Sequence, residues 1–141
     1  MKTGVKVAPK HSKRVGRERG AAAVEFALIL PIMLLVIGGI VDFGRALFTE
    51  IELANAAREG ARAASISGAT LPQVQARVTA STPALTVTAA AVLCDGVATQ
   101  ASVTASSSFD WILLRPAMSL FGGGGTLPGS LTSTAVMKCG G

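Results

Sequence analysis

Between Ala21 and Val41 run 21 residues that are apolar, glycine or proline, with Glu25 the single exception. As a helix rising about 1.5 Å per residue, such a stretch is ~31 Å long, close to the roughly 30 Å hydrocarbon core of a bilayer. A helix that is apolar all round belongs in lipid or in the centre of a larger protein. The flanks separate the two. Seven Lys/Arg (Lys2, Lys6, Lys10, Lys13, Arg14, Arg17 and Arg19) precede the run, against Glu18, whereas Arg45 is the one cation close behind it. That asymmetry favours a membrane span with its N-terminus in the cytoplasm and the rest of the chain outside.

The whole chain carries a net charge of +5, which taken alone hints at nucleic acid. Mapped along the sequence, the basic character lies in residues 1–20, and the remainder holds six cations and seven anions. Residues 1–20 have no apolar periodicity and are expected to form a disordered basic leader. Residues 21–42 form the expected transmembrane helix. Pro31 inside it is tolerable in lipid and a plausible bend, and Gly38-Gly39 permits close helix contact.

Helical spacing continues beyond the span. Phe43, Leu47, Ile51, Ala54, Ala57, Ala61 and Ala64 recur every three or four residues, and the pairs Asp42/Arg45 and Glu59/Arg62 fit the polar side of the same helix. With Gly68 as the stop, a single helix from Ala21 to near Ser67 is expected, residues 43–68 being its extension out of the membrane. Residues 69–141 then form a small extracytoplasmic α+β domain. Thr70 caps a short helix over 70–81 with Pro72 in its first turn. The stretches 85–93, 98–109 and 129–138 have strand character, separated by turn signals of which Asp95-Gly96 is the clearest. Between the last two, Asp110 is placed to cap a short helical segment and Pro116 to open another, with Gly122 to Gly125 as a flexible connector. The fold class is therefore α+β: a long N-terminal helix, then a small antiparallel sheet with short helices.

Cys94 and Cys139 close two of the strand stretches on the side assigned to the outside, where disulfides persist. A bridge between them is the expectation, with free buried thiols as the competing reading. Metal binding fits poorly, since there is no CxxC and the one histidine, His11, lies in the leader. No phosphate-cradling glycine motif follows a strand, no external histidine is available to a nucleophile, and there is no tyrosine to build an aromatic platform with Trp111. No catalytic residue, cofactor or metal ligand is predicted, the chain is not expected to be an enzyme, and nucleic acid is not an expected partner. Trp111 is expected in the core or as an interfacial anchor.

Glu25 stands about one turn into the span, where an acid costs less than at the bilayer centre and can reach the interface. On physics alone it is a snorkelling boundary residue. Gly20 followed by Ala21-Ala22-Ala23-Val24-Glu25, behind a basic leader and ahead of an apolar run, resembles the processing site of type IV prepilins, cut after the glycine by a membrane-embedded prepilin peptidase. A secretory signal peptide is the rival, disfavoured by the long basic region and by the lack of a small-residue cleavage site after the apolar run. The longer string, with Arg19-Gly20, Val24-Glu25-Phe26-Ala27-Leu28, Pro31, Asp42-Phe43-Gly44-Arg45 and Ala57-Arg58-Glu59-Gly60-Ala61-Arg62, resembles the TadE family. These are pilin-like minor proteins of the tight-adherence (Flp/Tad) pilus machinery. The second half resembles the family only in layout and in Thr134-Ala135-Val136-Met137.

The resemblance implies a single-pass protein of the bacterial inner membrane, N-terminus cytoplasmic, acting as a minor pilin or pseudopilin. Its partners would be membrane lipid, other pilins and Tad assembly proteins, and the prepilin peptidase. Cleavage between Gly20 and Ala21 would free an amino group one turn from Glu25, and in pilins this glutamate is thought to neutralise the N-terminal amine of a neighbouring subunit. An unprocessed single-pass envelope anchor with an interaction domain is the alternative, and a TadF-like paralogue fits the same features.

Overall fold

The computed structural model describes residues 15–120, 122 and 127–140, with side chains from Gly20 onward apart from Leu120. The leader up to Arg14 and most of the glycine connector lie outside the described residues. The chain divides into two compact units, Met1–Val36 and Ile37–Gly141, each taken by itself.

Helix α1 spans Val15–Ala64 as one 50-residue helix with Pro31 inside it. It begins within the expected basic leader rather than at Ala21, so residues 15–20 are helical and not disordered. Starting a helix is the costly step, and a run already helical from Ala21 extends readily through good helix formers such as Arg17, Glu18 and Arg19. In the first unit most apolar side chains from Val24 to Val36 are exposed, Leu30 and Leu35 being half-buried, and only 6% of the most apolar window is buried by protein. A core helix of a soluble protein would have the opposite exposure. The helix is long and apolar enough to cross a membrane.

The second unit begins on the same helix and adds α2 (Leu71–Ser81), β1 (Val87–Val92), β2 (Gln100–Ser108), α3 (Leu114–Leu120) and β3 (Ser130–Lys138). The three strands form an antiparallel sheet in the order β1-β2-β3, with Ala90 opposite Thr104 and Thr104 opposite Thr134. The architecture is α+β, as the patterning predicts, and each strand falls inside its expected stretch. Thr70 is the N-cap of α2, and its backbone N–H donates to Gln73 Oε1 at 3.1 Å, the reciprocal half of a capping box. At the β1–β2 connection, Asp95 Oδ1 accepts the N–H groups of Ala98 at 2.9 Å and Val97 at 3.0 Å, and Gly96 takes φ +89°. That turn is the one the Asp-Gly signal announces. The Ala98 and then the Val97 hydrogen bond hold the Asp95 carboxyl below its ordinary value.

The core lies between α1, α2 and one face of the sheet. Ala101, Val103 and Ala105 alternate inward along β2 and meet Val74 and Val78 of α2 and Leu53, Ala56, Ala57, Ala61 and Ala64 of α1. The helical spacing holds, and of its apolar positions the C-terminal alanines Ala57, Ala61 and Ala64 are the ones buried. Phe43, Leu47 and Ile51 are exposed, and the buried face is Asp42, Ala46, Leu53, Ala56, Ala57, Gly60, Ala61 and Ala64. The reason is steric. A Cβ on Gly60 would stand 2.6 Å from Val78 Cγ2 and 2.9 Å from Val103 Cγ1, so the small side of the helix is the one that approaches the sheet. Glu59 and Arg62, matched by spacing, form no ion pair, and the described residues contain one, Asp42 with Arg45.

Candidate functional site

The most heavily bonded polar side chain in the second unit is Asp42, one residue past the apolar run. It is 0% exposed. Its Oδ1 accepts the Ile112 N–H at 3.2 Å, and its Oδ2 accepts those of Leu113 at 2.9 Å and Leu114 at 2.8 Å. Leu114 is the first residue of α3 and Ile112 and Leu113 lead into it, where no intrahelical acceptor exists. The helix is thus capped from 70 residues away, and the expected cap, Asp110, is not the residue that does it. Asp110 is exposed, and its backbone carbonyl accepts Arg45 Nη1 at 3.2 Å. Pro116 opens no second helix; it lies inside α3, in the first turn, where a missing N–H costs nothing.

Arg45 lies one turn beyond Asp42, with Nη1 3.4 Å from Oδ1. Its guanidinium also stands 5.2 Å from the Phe109 ring centroid, a cation–π distance. Trp111 meets Phe109 edge-on at 5.0 Å and Phe43 at 5.5 Å, and its Nε1–H donates to the Pro128 carbonyl at 2.8 Å. Its ring is buried with Ala46 and Phe109. Asp42, Phe43 and Arg45 therefore form a clasp that fastens the helix to segment 109–114. Both carboxylate oxygens of Asp42 are satisfied by protein, so the clasp serves as a structural joint.

The two cysteines are joined. Cys94 follows β1, Cys139 follows β3, and the disulfide joins the ends of the two outer strands with a Cα–Cα distance of 5.7 Å. The backbone N–H of Cys94 donates to the Ala64 carbonyl at 3.3 Å, tying the bridge to the end of α1. Near that end, Glu59, Arg62, Gln73 and Arg77 line an open groove of about 700 Å³; its carboxylate and guanidinium groups form no ion pair. Among the described residues no group of His, Cys, Asp or Glu is assembled as a metal site.

Gly20, Ala21 and Glu25 lie in the first unit, on the uncovered part of α1. Glu25 is exposed, with no side-chain hydrogen-bond partner among the described residues. Gly20 and Ala21 are both helical, with nothing within 4 Å of a Cβ built on Gly20.

One family model matches the helix. The matched stretch is residues 20–62. The match, to the family described as TadE-like protein, begins at Gly20, takes in the apolar run and the Asp42–Arg45 clasp, and ends beside the Gly60 contact. It covers less than a third of the chain. No curated protein and no solved structure matches the chain. Sequence reasoning singled out Asp42-Phe43-Gly44-Arg45 as family pattern and missed its role. Its one physical signal is an acid immediately after an apolar run, two residues before a glycine and three before an arginine.

Proposed function

We propose that this chain is a TadE-like minor pilin or pseudopilin, anchored in the bacterial inner membrane by α1 and helping to assemble a Tad-type pilus or secretion fibre. The observation that carries this reading is the TadE-like match over residues 20–62, on a helix long and apolar enough to cross a bilayer. The basic leader keeps the N-terminus cytoplasmic, and the disulfide suits a domain delivered to an oxidising compartment. In this reading 1–20 is the leader, 21–42 the span, 43–68 its extension and 69–141 the outer domain.

Processing by a prepilin peptidase between Gly20 and Ala21 would leave a free amine one turn from Glu25. Either charge alone is costly in lipid, and pairing the amine of one subunit with Glu25 of its neighbour lowers that cost while fixing the axial register between helices. The partners in this scheme are other pilins and Tad assembly proteins, and the chemistry is packing and charge pairing rather than catalysis. The test is the intact mass of the membrane-extracted protein, with and without a co-expressed prepilin peptidase. Loss of residues 1–20 to give an Ala21 N-terminus is expected. A full-length mass in a host whose own pilins are processed defeats the pilin-like reading.

A further inference from the structure

Segment 109–114 carries its polarity on the inside and its grease on the outside. Ile112 is 59% exposed and Leu113 44%, yet the backbone N–H groups of both are satisfied by the buried Asp42 carboxylate. In water the reverse is the cheaper arrangement, because an exposed N–H finds a solvent partner and an exposed isobutyl group gains nothing. In hydrocarbon every backbone polar group needs a partner from the protein, and apolar side chains face outward freely. The segment is built to the second rule.

Its position along α1 agrees. Leu113 Cβ is 3.0 Å from where a Cβ on Gly38 would lie, and Leu114 Cδ1 is 3.9 Å from the equivalent point on Gly39. Gly38 stands about 4.5 Å along the helix axis before Val41, the last residue of the apolar run. Ile112 and Leu113 are thus level with side chains such as Ile40, 68% exposed, and Ile37, at 49%. The two glycines leave room for the segment to lie flush against the helix. Asp110 and Arg115, both exposed, bracket it with charge, and Trp111 sits beside it, a residue type enriched at membrane interfaces.

We propose that Ile112 and Leu113 insert into the outer-facing leaflet beside α1, so that the external domain rests on the lipid surface through a second, non-helical contact. The occupant is the acyl and glycerol region of the bilayer. Asp42 is a positioning residue for this insertion, since it removes the unsatisfied N–H groups that lipid would otherwise penalise. The inference rests on the reading that α1 crosses the membrane.

The test uses the full chain at high dilution in phosphatidylcholine–phosphatidylglycerol vesicles. Nitroxide labels are placed one at a time at Ile112→Cys, at Ile32→Cys within the span, and at Thr132→Cys on the sheet, the native disulfide being left intact. Collision with oxygen, which partitions into lipid, is compared with collision with a water-soluble nickel chelate. The expected oxygen-to-nickel ratio at Ile112→Cys is several-fold above that at Thr132→Cys and on the same side as Ile32→Cys. Free nickel access at Ile112→Cys with Ile32→Cys still in lipid overturns the insertion and leaves the span standing. Shielding of Ile112→Cys from both reagents also overturns it, because a second copy of the chain then covers the segment. Nickel access at Ile32→Cys removes the span and the insertion together.

Discussion

Gly60→Ala should destabilise the external domain, although alanine is the better helix former. Two terms oppose each other. Replacing glycine inside a helix gains about 0.5–1 kcal/mol from backbone entropy. Against that, the new methyl would stand 2.6 Å from Val78 Cγ2 and 2.9 Å from Val103 Cγ1, whereas carbon atoms rest about 3.5–4.0 Å apart. Val78 and Val103 are fully buried, and neither branched side chain has a spare rotamer to retreat into. Overpacking of this kind costs about 1–3 kcal/mol and occasionally more, so the net loss is on the order of 1–2 kcal/mol. For a domain of this size each kcal/mol lowers Tm by about 4–8 °C. The assay is thermal unfolding of the full chain in detergent, followed by near-ultraviolet circular dichroism of Trp111, with Gly44→Ala as the internal control. A Cβ at Gly44 meets nothing within 4 Å, so the same substitution in the same helix should leave Tm unchanged or raise it. A Gly60→Ala protein that melts with or above Gly44→Ala would refute the close seam between α1, α2 and β2.

Asp42→Ala orphans three N–H groups at once, and a loss of about 2–4 kcal/mol in unfolding free energy is expected, with early release of segment 109–114 to protease. Mutating both cysteines to serine removes a bridge with a sequence separation of 45, worth roughly 4 kcal/mol on the chain-entropy account, so the double variant should unfold at clearly lower denaturant. The Asp95 carboxyl is held below its ordinary value by the Ala98 and Val97 N–H groups, so its stabilising effect is complete above the unfolded value and disappears as pH falls through the lower folded one. Melting scans from about pH 5 to about pH 2 should show wild type converging on Asp95→Asn at the acid end. Glu25→Ala should leave membrane insertion and domain folding intact while reducing incorporation into pilus assemblies, as read by crosslinking to neighbouring pilins; normal incorporation would remove the charge-pairing role.

Elements with a local cause could be read from the sequence. The strands showed through β-branched alternation, the α2 start through Thr70 and Pro72, the β1–β2 turn through Asp95-Gly96, and the disulfide through two cysteines closing strands in one compartment. What was not legible depends on contacts between distant residues. Both Asp110 and Asp42 are chemically able to cap α3, and only the fold decides that the more distant one reaches its N–H groups. Which face of α1 is buried was not legible for a related reason. Helical periodicity admits two stripes after residue 42, one large and apolar and one small, and size favours the first. Close approach to a sheet favours the second, a choice governed by the shape of the neighbour and not by the hydrophobicity of the helix. The resemblance drew attention to the Asp42–Arg45 and Ala57–Arg62 stretches without saying what either does. In the structure one holds the clasp and the other contains the tight glycine contact.

The small-sided seam of α1 also divides its positions by how much change they can absorb. Ala56, Ala57, Gly60, Ala61 and Ala64 cannot gain volume without moving the sheet, whereas Leu47, Phe48 and Ile51 on the exposed side are not part of the core formed by the described residues. A saturation library scored only for a folded, surface-displayed domain should therefore recover a ban on large residues along the first set and near-indifference along the second. Any exposed position that tolerates change in that screen and fails when the same library is scored for pilus assembly would mark a surface selected by neighbouring subunits.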